Sequence, residues 1–472
     1  MKTGLLGALV VSALLWTSQL RADETYFRGD QGRATDESGP LPEKFDETEI
    51  VWQVDLPPGN SSPCVCGDKI FLTTFVKADN QLATVAIDRA SGKLLWRQIA
   101  PAEKIEAFHP VGSPATCTPA CDGERVFVFF GSYGLLCYDL EGKLLWSKKM
   151  GPFQDEFGAS SSPVLIDDKI ILNEDHDIDS FITAIDKQTG ETAWRTSREG
   201  FTRSYSTPIV WESAAGKQIV VAGSLQLAAY DPNDGKKLWW VNGLSRILDT
   251  TPAQANGQLF VATWTPGGDE GSRISMGPFA DALKTYDKNA DGLVGKNELA
   301  EGAVLERFFR IDLNQDQKLS EEEWNKHARV FELAQNVAMA VKPGGTGDVT
   351  ETNVKWKYGR SLPTVASPLV YRGAMYMVKD GGIITSLDAE TGEMLAQGRA
   401  EGAGNYYASP VAGDGKVYFA SERGVITILR AGREWETLGS RELGQRIMAT
   451  PVIQDGKIYL RTDDALYCFA VQ

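Results

Sequence analysis

Hydrophobic and polar residues alternate along many short stretches of this chain, as in Arg125-Val-Phe-Val-Phe129, Lys416-Val-Tyr-Phe-Ala420 and Lys457-Ile-Tyr-Leu-Arg461. Period two sends successive side chains to opposite faces, so each stretch predicts a β-strand with a buried face. Two markers recur with these strands. A Ser/Thr-Pro dipeptide opens a hydrophobic strand at Pro63, Pro119, Pro163, Pro208, Pro252, Pro368, Pro410 and Pro451. Six of the seven intervals are 56, 44, 45, 44, 42 and 41 residues, and the seventh, Pro252 to Pro368, is 116. The second marker is an Asp-to-Gly turn leading to tryptophan. It runs from Asp88 to Gly92 with Trp96, Asp139 to Gly142 with Trp146, Asp186 to Gly190 with Trp194, and Asp231 to Gly235 with Trp239. It weakens at Asp388 to Gly392, where Ala396 replaces the indole, and at Arg430 to Gly432 with Trp435.

Proline suits the first residue of a strand, where its missing N–H breaks no ladder. Asp and Gly build a tight turn, and an indole is broad enough to fill a wedge between neighbouring sheets. Four short strands fit in each period, and a period of roughly 40–45 residues with four strands predicts a β-propeller blade. The expected fold class is therefore all-β, an eight-bladed β-propeller of four-stranded blades, with seven blades as the alternative if one opening is spurious. Trp52, in Glu49-Ile-Val-Trp52, precedes the first opening, and the chain ends on Leu466-Tyr-Cys-Phe-Ala-Val471. The N-terminal strand is thus expected to complete the last blade and remove two open sheet edges.

One repeat is interrupted by about 72 extra residues, whose periodicity switches from strand to helix. This small α-helical insertion is expected between two blades. Within it, Asp287, Asn289 and Asp291 hold positions 1, 3 and 5 of an EF-hand loop, with Leu293 offering its carbonyl at 7 and Glu298 a bidentate carboxylate at 12. Gly292 makes the sharp turn, and Gly295 leaves position 9 to water. A second loop places Asp312, Asn314, Asp316, the Lys318 carbonyl, Ser320 and Glu323 at the same positions. Gln317 stands where glycine is wanted, and a side chain at positive φ costs about 1–2 kcal/mol. That corresponds to about tenfold weaker binding. Calcium is therefore the expected cofactor, acting to rigidify the insertion, with a calcium switch as the alternative. One helix between Leu299 and Ile311 is expected to serve both loops, Val294 and Leu319 to pair across them, and Phe308 and Phe309 to fill the small core.

The apolar run Leu5 to Leu15 follows Lys2 and ends near Ala22, which predicts a cleaved secretory signal. The division is then 1–22 signal peptide, 23–48 extended segment, 49–278 first part of the propeller, 279–342 insertion, and 343–472 second part. No later stretch is long and apolar enough to span a bilayer. Without Lys2 and Arg21 the net charge falls from −15 to −17, which argues against nucleic acid and anionic lipid as partners. An exported chain can oxidise its cysteines, and one bridge or more is expected among Cys64, Cys66, Cys117 and Cys121. Zinc is the alternative, at poor finger spacing. Cys137 and Cys468 are expected to be buried in strands. His176, in Glu174-Asp-His-Asp177-Ile-Asp179, is expected in a solvated acidic turn, with a cation site in the axial funnel as the alternative.

The Ser-Pro openings and Asp-to-Gly turns closed by tryptophan resemble the pyrroloquinoline-quinone-like propeller repeat. That family includes quinoprotein alcohol dehydrogenases and the propeller subunit of the outer-membrane barrel-assembly machinery. With its embedded EF-hands the chain looks more closely like a group of secreted bacterial propellers, whose usual opening Phe27-Arg-Gly-Asp30 matches. An adhesive role for Arg28-Gly-Asp30 is not expected. Nor does the resemblance carry the quinone (PQQ). The family's dehydrogenases set it beneath a disulfide of adjacent cysteines, and this sequence has no Cys-Cys dipeptide. The reading is a non-catalytic scaffold, periplasmic or secreted, that binds a protein partner in the cell envelope or outside the cell. The alternatives are a PQQ-dependent dehydrogenase and a carbohydrate-active propeller, the latter marked by a deep funnel lined with carboxylates.

Overall fold

The computed structural model describes residues 25–29, 32–213, 216–269, 271, 273 and 275–472. The expected signal segment and Asp30 lie outside them. Eight antiparallel sheets, one per Ser/Thr-Pro opening, stand as the eight blades of a β-propeller. Seven have four strands, and the fourth blade gains a fifth, Gly347–Asp348, which runs parallel to its outer strand Lys237–Asn242. The ring closes as expected. Strand Ile50–Asp55 pairs antiparallel with the C-terminal strand Ala465–Ala470, with Trp52 opposite Cys468 and Val54 opposite Leu466.

Tryptophans lock neighbouring blades. Trp52 lies over Gly92 of the first blade and donates its indole N–H to the Arg89 carbonyl at 3.0 Å. A Cβ on Gly92 would stand 2.6 Å from that ring, and φ there is +72°, so only glycine fits. The same docking joins Trp96 to the Leu140 carbonyl, Trp146 to Lys187, Trp194 to Pro232 and Trp356 to Ala389. Trp239 departs from it and donates to the Gln218 side chain instead.

The insertion sits within the fifth blade rather than between blades. It leaves after the second strand, Gln258–Thr263, and returns at the third, Val337–Val341, which pairs with it. Val337–Val341 therefore belongs to the propeller although the division by sequence counts it with the insertion. The inserted helices are α1 (Phe279–Tyr286), α2 (Ala303–Glu306), α3 (Phe308–Ile311) and α4 (Glu321–Leu333). The single shared helix expected between the loops is thus two short turns, because Gly302 interrupts the segment at φ 154° and Arg307 breaks it at φ −107°. Val294 pairs with Leu319 as expected. Phe308 joins Phe279, Ile311 and Trp324 in the small core, whereas Phe309 is 49% exposed and does not.

Residues 25–29 and 32–49 cross the opposite face of the ring. Thr25 bridges to Cys121 in the second blade, Arg28 donates to the Pro368 carbonyl in the sixth at 2.8 Å, and Thr35 bridges to Ala412 in the seventh. Arg28 is buried, which removes it as an adhesive side chain. On this face Cys66 and Cys121 form a disulfide between the first two blades, while Cys64, Cys117, Cys137 and Cys468 are free and buried.

Candidate functional site

The residue before each opening proline carries a hydroxyl, and the fold gives that hydroxyl a common task. The amide of Ser62 donates to the Thr118 hydroxyl at 3.0 Å, Thr118 to Ser162 at 2.9 Å, and Ser162 to Thr207 at 3.1 Å. Thr207 continues to Thr251, Thr251 to Ser367, Ser367 to Ser409, and Ser409 to Thr450. Seven inter-blade steps are thereby linked around the axis, each bond worth about 1 kcal/mol net. All eight residues line an axial cavity of about 420 Å³. Phe27 of the N-terminal segment also lines it.

At the other end, the loops that enter the inner strands build a charged mouth. Arg246, 7% exposed, donates from Nε to the Pro266 carbonyl at 2.8 Å and stacks on Phe331 of α4. Burial lowers its pKa to about 10, so it stays cationic at neutral pH. Burial pushes the Asp249 carboxyl up to about 7. Arg310 of α3 reaches Glu156 at 3.1 Å, and Glu156 also pairs with Arg203 at 2.8 Å. His109, Tyr205 and Tyr407 also line the cavity. Asp249 is the carboxylate among these lining residues.

His176 is not in a solvated turn. Glu174, Asp175, His176 and Asp177 are all at most 3% exposed. The imidazole bridges Glu174 at 2.9 Å and Asp155 at 3.3 Å and stacks on Phe153. Asp155 accepts the Tyr205 hydroxyl, Asp175 holds Arg198 through two nitrogens, and Asp177 holds Arg203. Burial lowers the His176 pKa, but the hydrogen bonds and charges of its two carboxylates outweigh burial and lift it to about 10. Glu106, buried beside them, is pushed up to about 8 by desolvation. Alternation of residue type hides such a network, because its members lie far apart in sequence, between Glu106 and Arg310, on strand ends, loops and α3.

The insertion places the expected calcium ligands in two loops with matching hydrogen bonds. Asp287 accepts from the amides of Asp291 and Gly292, Asn289 from Asp291, Asp291 from Leu293, and Glu298 from Lys288, Asn289 and Gly295. In the second loop Asp312 accepts from Asp316 and Gln317, Asn314 from Asp316, Asp316 from Lys318, and Glu323 from Leu313, Asn314 and Ser320. Gly292 and Gln317 adopt φ of 79° and 70°. Lys318, expected to offer its carbonyl, also ties its ammonium to Asp291 at 2.7 Å. Among the described residues no three His, Cys, Asp or Glu side chains stand as a ready-formed metal cluster. The donor set is all oxygen, which suits a hard cation.

Comparison with known proteins agrees with the fold. A family model described as outer membrane protein assembly factor BamB matches residues 43–181, 178–277 and 309–472. Among solved structures, BamB from Moraxella catarrhalis superposes with a TM-score of 0.56 at 12% identity, covering 89% of this chain and 97% of that one. Quinohemoprotein alcohol dehydrogenase from Comamonas testosteroni gives 0.51 at 12% identity, covering 96% and 81%. A curated relative, quinohemoprotein alcohol dehydrogenase ADH IIB of Pseudomonas putida, is 28% identical over 115 residues, which span 24% of this chain and only 17% of that protein. With more than half its length matched by one model, the chain belongs to the outer membrane protein assembly factor BamB family of quinone-like propeller repeats.

Proposed function

We propose that the protein is an exported, non-catalytic propeller that serves as a protein-interaction or envelope-assembly scaffold, with calcium held by the inserted loop pair. The family match carries the scaffold reading, since its model is described as an assembly factor and covers the ring on both sides of the insertion. The insertion lies against one face of the ring. Its second loop touches the propeller rim through Gln154, which donates to the Leu313 carbonyl, and its α3 through the Arg310–Glu156 pair. Asp287, Asn289, Asp291, Leu293 and Glu298 would hold one calcium ion, and Asp312, Asn314, Asp316, Lys318, Ser320 and Glu323 a second. The ions would supply structural rigidity rather than chemistry.

Two experiments separate this reading from its rivals. Purified protein reconstituted with PQQ and calcium is expected to show no dye reduction with alcohols or sugars. Steady turnover would overturn the non-catalytic assignment. Photo-crosslinkers placed on the insertion face, for example at Phe309, are expected to capture an envelope protein in intact cells. Capture from the face carrying residues 25–49 alone would move the contact surface away from the insertion.

A further inference from the structure

The axial cavity has the character of a small-ligand site, and its polar groups state what the ligand must offer. Its volume, about 420 Å³, lies inside the range of small-molecule pockets, roughly 300–1,000 Å³. Seven of the ring hydroxyls accept an amide hydrogen from the preceding blade, which leaves their own protons to donate, and none has a protein acceptor among the described residues. Of the Arg246 nitrogens, Nε donates to the Pro266 carbonyl, and the terminal pair makes no protein hydrogen bond among the described residues. Nearby, Arg203 and Arg310 are matched by Asp177 and Glu156, whereas Arg246 makes no ion pair among the described residues and feels Asp249 and Glu156 only at longer range. Hydroxyl donors and one guanidinium with free N–H groups, set in a largely apolar lining, suit a small monoanion that carries acceptor oxygens. Asp249 can in turn accept a hydroxyl from it.

We propose that the axial cavity binds a small hydroxylated carboxylate, a sugar acid, whose carboxylate pairs with Arg246 and whose hydroxyls meet the ring of Ser and Thr side chains. Arg310, reaching in from the insertion, flanks the mouth. A guanidinium offers two parallel N–H donors to a carboxylate, which a neutral sugar cannot use. This site is independent of the calcium reading and of the protein partner.

The test is titration calorimetry on the intact mature protein in calcium-containing buffer, with glucuronate, glucose, inorganic phosphate and PQQ as separate probes. Glucuronate is expected to bind one to one, with glucose and phosphate about tenfold or more weaker. Arg246→Gln should weaken glucuronate by about ten- to a hundredfold. Because Arg246 also packs on Phe331, Arg310→Gln at the partly exposed mouth is the second variant, expected to weaken binding by about threefold to tenfold. The proposal is overturned if glucuronate gives no heat, if glucose binds as well, if phosphate or PQQ binds more tightly, or if both variants keep wild-type affinity.

Discussion

The two loops of the insertion share a backbone frame down to individual hydrogen bonds, yet a 13-residue helix follows the second and only a turn follows the first. The difference lies at position 9. Ser320 accepts from the Glu323 amide at 3.2 Å while the Glu323 carboxylate accepts from the Ser320 amide at 3.0 Å, a reciprocal cap that starts α4. Gly295 has no side chain to return the favour, although Glu298 still accepts its amide at 2.8 Å. The turn position shows the opposite bias, with glycine at 292 and glutamine held at φ 70° at 317. Each loop therefore has one sound determinant and one poor one. Their settings differ too, since Asp312 is 1% exposed and its loop abuts the propeller rim, while Asp291 faces solvent and Lys318.

The largest expected effect lies in the propeller itself, in the buried network around His176. His176→Gln removes the cation between two buried carboxylates and should destabilise the chain by about 3–5 kcal/mol. Melting followed by circular dichroism would read it. The wild type should also lose stability on the alkaline side. His176 binds its proton more tightly folded than unfolded, so its contribution is complete below pH 6.5 and is lost as pH rises towards 10. Glu106 slopes the same way between 4.5 and about 8. The melting temperature should fall from mild acid to pH 10, less steeply in His176→Gln. An equal slope in both proteins would remove His176 as the cause.

The turn position comes next. Gln317→Gly should relieve about 1–2 kcal/mol and raise calcium affinity at the second loop by about tenfold. An unchanged second site would mean that the loop tolerates glutamine without strain. The smallest effects belong to the caps. Ser320→Ala should cost about 1 kcal/mol and fray α4, whereas Gly295→Ser should gain less than about 1 kcal/mol and lengthen helix after the first loop. Hydrogen exchange of the amides after each loop distinguishes the two.

Local patterns carried much of this structure. Eight Ser/Thr-Pro dipeptides and the Asp-to-Gly turns were enough to count blades, and the isolated Trp52 was enough to close the ring. The same dipeptides also spelled out the axial hydroxyls, a signal present but unread, because a proline after serine looks complete as a strand opener. The residues expected to bind calcium could be named from sequence because an EF-hand pattern is contiguous. The single connecting helix was not, since its failure rests on Gly302 and Arg307 acting within 13 residues, Leu299 to Ile311. Arg246, Asp249, Glu156 and His176 carry no linear mark of their meeting. Burial of four consecutive polar residues from Glu174 to Asp177 contradicts what alternation and polarity alone imply.

Calorimetric titration of calcium into the wild type and Glu298→Gln weighs the paired-loop account most directly. The wild type should show two binding events, the first loop tighter, and the variant should lose the tighter event by about a hundredfold or more while keeping the weaker one. A single event untouched by the substitution, or no heat at millimolar calcium, would contradict it.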